Sequence, residues 1–592
     1  MLKVLQRVSL EFANQSQDSL NLLQGFGRRE FSVRSEWAQS VQRVIDSWYY
    51  GFGSPAVAGF LESYAQDRNG NTVDTSMHHN IRAQIPDLAR TIQTCPLQDV
   101  RIACQSILED IKKKKHFTID VPLQPSPSFC FSVEDLPHLR CLFEQPVEDD
   151  PLFTNYVLFC EYWYRWSRLD NFIQVLGCHP EFLEPFMKVH QCLLTGDLSL
   201  PYPVRYYLAI LAAAELRCPQ LVCLFVRYFL HAGGNAAWLQ GLSEGPSRWL
   251  QLSELNHNLA HSPWKISADH IHRLTRGDEG VRGDKLSLSE LMHAVAIMTH
   301  VHSLACFIFG AAVRPELEHI NFTASPSPCS TQPLALAVSQ GAVSASLTPT
   351  GDEQVHKERQ VQASEQLLNL LQSEASGEWD NHNEDDELTE IFQSYAKSNS
   401  ELTLPSVYAS VDVPDGFSMS RHPVVEKFLG SPENAFVDFS GIPLLVSEFS
   451  WMEEGCPLVD HLASTLGTLL DDTFQNAFDL TYNTLNEYND VNTSCFRHTL
   501  WFFVQSLFGV CHEDLRFDRV VKLLSIEQRS FIKSCATRPF DLVAYEPTAC
   551  RTIFAALSPS EVVHILIMIM ESRQQACLSY ALRAISQCQT RR

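Results

Sequence analysis

Apolar residues recur along this chain at intervals of three and four, the period of a helix rather than the alternation of a half-buried strand. In VRYYLAILAAAELR (204–217) they cover most faces and alanines fill the rest, which predicts a buried helix. LSLSELMHAVAIMTHVHSLACFIFGAAV (286–313) has the same period. So do LLDDTFQNAFDLTYNTL (469–485), FRHTLWFFVQSLFGV (496–510) and SEVVHILIMIMESRQQACLSYALRAI (560–585). No alternating strand series stands out, and the expected class is all-α.

The pattern thins between about Leu317 and Ser400. That interval holds SPSPCSTQPLALAVSQGAVSASLTPTGDEQ and then the acidic SGEWDNHNEDDELTE. Such composition buries too little apolar area to offset the ordering of the backbone. A mostly disordered linker over 317–420 is expected, with a short helix near Glu365–Leu371. It separates an N-terminal helical domain, 151–316, from a C-terminal one, 421–592. Residues 1–150 look less regular, a partly helical extension. Their DIKKKKHF (110–117) reads as a solvated helix face or as a targeting signal.

Composition narrows the function classes. The formal net charge is -24 over 592 residues, which disfavours a sequence-independent grip on nucleic acid or anionic membrane. The apolar runs LACFIFGAAV (304–313) and VVHILIMIM (562–570) are far shorter than the roughly 20 residues of a bilayer span. The first residues lack the apolar core of a signal peptide. Eighteen scattered cysteines with no CxxC pair suggest free thiols in a reducing compartment. The cytoplasm is the default location, and nothing excludes the nucleus.

Several stretches together resemble the sestrin family. LGCHPEFLEPFMKVH (176–190), LPYPVRYYLAILAAAELRCPQLV (200–222) and FLHAGGNAAWLQGLSEGPSRWLQLSELNHNLAHSPWKIS (229–267) resemble its N-terminal domain, and 286–316 continues the match. FSWMEEGCPLV (449–459), 480–510 and ESRQQACLSYALRAI (571–585) resemble its C-terminal domain. The resemblance covers roughly half the chain in two collinear blocks. It implies two pseudo-symmetric helical domains of alkylhydroperoxidase-D-like fold, packed together and joined by the disordered linker. It also implies two activities. One is peroxide reduction by the N-terminal domain. The other is leucine sensing by the C-terminal domain, which controls binding to the GATOR subcomplex and restrains target-of-rapamycin signalling.

Cys218 matches the family's redox cysteine. Pro219 suits the first position of a new helix, which places Cys218 at its N-cap, where a thiolate is favoured. Peroxide reduction also requires a proton for the leaving oxygen. The family's relay tyrosine and histidine are replaced here by Gln220 and Phe225. Cys223 lies five residues on and points to a different helix face. The competing reading is a buried cysteine acting as a small apolar residue.

A free amino acid is recognised by an acid, a guanidinium and an apolar floor, shielded from water. By resemblance, Glu561 takes the ammonium and Arg497 the carboxylate. Thr481, Tyr482, Thr484 and Thr493 form a lid, and His179 approaches from the N-terminal part. Phe554 stands where the family has tryptophan and Phe496 where it has leucine, which reshapes the floor. Each residue also has a structural reading. Ser558, Pro559 and Glu561 spell a capping box. Thr493 suits an ordinary N-cap. Arg497 could pair with a surface acid.

The implied partner contact maps to Ser287, Glu513 and Asp514. An acidic pair of this kind is also ordinary solvated surface. His257 and His261, in HNLAH, stand one helical turn apart, a spacing that suits a metal. No third ligand is evident from the sequence, so no metal is expected. With no phosphate-cradling glycine loop and no GxSxG elbow, no cofactor is expected.

Overall fold

A computed structural model describes residues 23–50, 85–115, 126–276, 285–316, 352–375, 385–410, 423–429, 436–481, 483–514 and 516–590. Helices dominate these residues, as the class predicted from periodicity requires. Strand structure among them is limited to four two-residue strands. The chain divides into two compact units that do not follow sequence order.

The first unit comprises 1–126, 137–177 and 315–347. It contains α1 (Phe31–Tyr50), α2 (Ile85–Thr94), α3 (Gln98–Lys115), α4 (Phe153–Trp166) and α5 (Asn171–Leu176). α2 and α3 pack on each other, and α1 lies against α3. There the buried Arg34 reaches Asp99 at 2.7 Å. Trp163 of α4 is fully buried, and its indole N–H donates to the Phe26 carbonyl at 3.0 Å. The KKKK run ends α3.

The second unit comprises 127–136, 178–314 and 348–592. Its N-terminal part holds α6 (Pro180–Thr195), α7 (Tyr202–Glu215), α8 (Pro219–His231), α9 (Ser253–His261), α10 (Ala268–Arg276) and α11 (Leu288–Gly310). Later come α12 (Asp352–Ala375), α13 (Asp385–Ser400), α14 (Cys456–Ala463), α15 (Leu466–Asp479), α16 (Ser494–Leu507) and α17 (Phe517–Leu523). α18 (Ile526–Thr537), α19 (Ala549–Ile553) and α20 (Pro559–Thr590) complete it. β1 (Leu444–Leu445) pairs in parallel with β4 (Val510–Cys511). β2 (Thr484–Leu485) and β3 (Tyr488–Asn489) form a hairpin around Asn486, whose φ is +53°.

Two long helices form the axis of this unit. α11 is apolar on every face and opens with a capping box: the Ser287 hydroxyl accepts from Glu290 N, and the Glu290 carboxylate accepts from Ser287 N. By length and composition α11 could cross a membrane, but its whole apolar window is buried against its neighbours. α20 packs along it, with α15 and α16 on its other sides. Both helices read as apolar all round because both are wrapped by protein.

The interval 317–420 departs from a mostly disordered linker. α12 extends 24 residues where a short helix was expected, and α13 follows it. Composition underestimates them because they have few apolar residues, but those few are correctly spaced. Leu367 and Leu371, four apart on α12, are both buried. Phe392 of α13 joins Leu445 and Cys511 in a small core with Phe439 and Phe517 packed on it. Residues 317–351 lie outside the described residues.

Candidate functional site

The first candidate surrounds the start of α20. Ser558 is the N-cap, Pro559 the first helical residue and Glu561 the third. The Glu561 carboxylate accepts from Ser558 N at 2.8 Å, and the Glu561 amide donates to the Ser558 hydroxyl at 3.4 Å. The structural reading of this motif is therefore realised. The carboxylate does more, however. Both of its oxygens accept from Asn486 N, at 3.0 and 2.9 Å, which pins the β2–β3 turn to the helix N-terminus. Three backbone bonds fill most of its acceptor capacity, and one lone-pair direction on Oε1 is left.

Arg497, in the first turn of α16, is also buried. Its Nη1 donates to the Phe478 carbonyl and lies 3.4 Å from Asp479, while its guanidinium stands 5.2 Å from the centre of the Phe478 ring. The acid it meets is therefore a mostly exposed one, as the structural reading allowed. Thr493 occupies the N-cap of α16 but makes no capping bond through its hydroxyl. Thr481 adopts φ +42°, and its carbonyl accepts from Thr484 Oγ1 at 3.4 Å.

These groups converge. Glu561, Arg497, Phe496, Thr481, Thr484 and Thr493 line one cleft, closed by Leu485, Leu557, His564 and Ile565. The sequence reading missed His564. Its Nε2 donates to the Ala477 carbonyl at 2.8 Å, so Nδ1 accepts from the Thr481 hydroxyl at 2.7 Å. Burial, with His179 adding to it, pushes its pKa down to about 3, so the ring is neutral. His179 does reach this neighbourhood. Its Nε2 lies 2.9 Å from the Ser560 carbonyl, and its ring meets His564 edge-on at 6.0 Å. Burial lowers its pKa too.

One expected member stands elsewhere. Phe554 is fully buried against Phe531 and does not line the cleft. Tyr482 lies outside the described residues. Leu367 and Leu371 of α12 form one wall of the cleft. The helix is fixed there by Ser364, whose hydroxyl donates to the Ala556 carbonyl at 2.7 Å. The space left is about 20 Å³, room for about one water. A spacing search for leucine pairs in the acidic interval would have found this wall.

The second candidate is Cys218. It is the N-cap of α8, as expected, with Pro219 following. The chain turns into it through Arg217 at φ +52°, whose guanidinium sits 4.9 Å from the Phe540 ring centre. The thiol is sealed, with no exposed surface. Burial pushes its pKa up to about 12 and outweighs the pull of the Leu221 and Gln220 amides. Gln220 spends its side-chain amide on the Val313 carbonyl at 2.9 Å, and Phe225 is core.

Of the surface residues, Ser287, Glu513 and Asp514 are all exposed. Ser287 is occupied in capping α11. Glu513 accepts from Ser447 N at 2.9 Å. Burial raises its pKa, but the Ser447 bonds outweigh that and hold it below the usual carboxylate range. A larger cleft of about 320 Å³ lies on α16, walled by Trp451, Phe474, Phe478, Trp501, Phe502 and His512.

Comparison with known proteins places these features in a family. The profile of the PA26 p53-induced protein (sestrin) family matches residues 148–589. Mouse Sestrin-3 is 30% identical over 500 residues, 82% of this chain and 96% of its own length. Mouse Sestrin-2 is 34% identical over 435 residues, 72% of this chain and 85% of its own. The Drosophila melanogaster Sestrin homolog is 30% identical over 480 residues, 71% and 93% respectively. With most of each relative spanned by one continuous similarity, the chain belongs to the sestrin family of p53-induced, stress-responsive regulators.

Proposed function

We propose that this protein senses leucine, or a similar small apolar amino acid, and relays its presence to the GATOR subcomplex in the cytoplasm, so restraining target-of-rapamycin signalling when the amino acid is scarce. One observation carries the reading: a buried carboxylate and a buried guanidinium, Glu561 and Arg497, line the same apolar cleft beneath a threonine-rich hairpin. Such a pair supplies opposite charges for an ammonium and a carboxylate, and the low-dielectric walls strengthen both.

The cleft as it stands is too small for leucine. Binding therefore requires Leu367 and Leu371 to withdraw, with the ligand's side chain taking the place they fill. The filled and withdrawn positions of α12 are the two states that a ligand would re-weight. α16 carries Arg497 at its start and leads through β4 to Glu513 and Asp514, so a shift at the cleft reaches the acidic surface by a short path. Leucine releases the partner only if it binds the partner-free state more tightly.

Calorimetric titration with leucine, methionine, isoleucine and arginine tests this, with Glu561→Ala and Arg497→Ala as variants. Saturable leucine binding lost in both is the expected result. Pull-down of the GATOR subcomplex should then weaken as leucine is added. Absence of binding at millimolar leucine, or equal binding by the variants, overturns the sensor reading.

A further inference from the structure

A third ligand for the HNLAH histidines comes from another helix. Glu215 ends α7, 38 residues before the start of α9 in sequence, and its side chain meets both rings. Glu215 Oε1 lies 2.9 Å from His257 Nδ1 and 3.3 Å from His261 Nε2. The three donor atoms all lie within 4.8 Å of one another. The donor–donor edge of a tetrahedral zinc site, with bonds of about 2.0–2.1 Å, is about 3.3 Å. The two edges from Glu215 Oε1, 2.9 and 3.3 Å, already lie within a few tenths of an ångström of that length, and the edge between the two ring nitrogens is no longer than 4.8 Å.

The surroundings suit an ion more than a simple ion pair. Glu215 is 11% exposed and His261 2%, while His257 is 28% exposed and opens the cluster to solvent on one side. Asn256 holds the other carboxylate oxygen, Oε2, at 3.5 Å, which leaves Oε1 aimed at the rings. His261 Nδ1 is buried without a hydrogen-bond partner, so nothing commits that ring to one tautomer. His302, buried with neither ring nitrogen bonded, lies within electrostatic reach of all three groups.

We propose that Glu215, His257 and His261 form a divalent transition-metal site of the zinc class, with its fourth position open to water beside His257. Two imidazoles and one carboxylate with an open position are the donor set of zinc sites that activate water. Binding needs no redox step. Each ring presents a lone pair at the nitrogen that now faces Glu215, and its proton moves to the other ring nitrogen or to solvent. The ion would tie the end of α7 to α9, three residues before Cys218.

The test uses the full chain, stripped with a chelator and dialysed. Zinc is titrated against a chromophoric competitor, and cobalt(II) is added for its optical spectrum. One equivalent should bind, with a cobalt spectrum free of thiolate charge transfer. His257→Ala and Glu215→Gln should each weaken binding by about 100-fold or more. The melting temperature of the unaltered protein should rise with zinc, a reading that needs no variant. Substoichiometric binding, a thiolate band, equal affinity in both variants or an unmoved melting temperature overturns the site.

Discussion

Cys218 and Glu561 occupy similar positions in the fold and have opposite fates. Each stands at the start of a helix whose first residue is proline, where backbone amides and the helix dipole favour a negative charge. At Cys218 the surroundings are apolar and closed, and desolvation prevails: the group stays a neutral thiol. At Glu561 the same helix-end amide is joined by the Asn486 turn, and the carboxylate is held by three hydrogen bonds. A helix N-terminus is thus only a bias. Whether it produces a charged, ligand-facing group depends on what the neighbouring elements bring to it.

The largest expected effect is on thiol reactivity. A shift from 9 to about 12 leaves roughly 10³-fold less thiolate at neutral pH. Alkylation of Cys218, followed by mass spectrometry in native buffer and in urea, should show protection of that order. Peroxide consumption should be unchanged in Cys218→Ser. Native alkylation as fast as that of an exposed thiol would break the comparison.

Next is stability. Glu561→Ala removes a capping box and the hairpin anchor together, and should cost about 2 kcal/mol, read by thermal or denaturant unfolding. Cys218→Ala should cost less, since only a sulfur is lost from a packed site. The reverse order would mean that the cap is dispensable.

Acid and alkali should separate the two ends. The folded pKa of His564 is below its free value, so its contribution is complete above about 6.5 and is lost as the pH falls toward 3. The folded pKa of Cys218 is raised, so its contribution is complete below 9 and is lost as the pH rises toward 12. Each slope is at most about 1.4 kcal/mol per pH unit. Hydrogen exchange, corrected for intrinsic rates, should show the hairpin at 481–490 loosening first in acid and the start of α8 first in alkali.

The smallest effect concerns the wall of the cleft. Leu371→Ala opens space and weakens the seat of α12, and should raise leucine affinity by about fivefold. A lower affinity would make α12 part of the binding surface rather than an occupant to be displaced.

Periodicity alone was enough to read the helices that form the core, because α7, α11 and α20 are apolar at helical spacing. The clamp residues were legible through resemblance, and the SPSE motif also announced its cap. What stayed hidden was long-range. Nothing local tells that Glu561 takes the Asn486 amide, that His564 receives the Thr481 hydroxyl, or that Glu215 meets His257. Phe554 shows the limit of the resemblance: it implied a place at the floor of the cleft, but the ring packs on Phe531, and Leu557 and Ile565 line the cleft.

α20 runs 32 residues without a break, about 48 Å at 1.5 Å per residue. Its third residue is Glu561. Twelve residues further on, Arg573 grips the Ala260 carbonyl, one residue before His261. A stiff rod gripped at both places works as a lever: tilting its tip drags its middle, and bracing its middle steadies its tip. A proline inserted between the two grips would turn the rod into a joint, leaving each end to move without the other.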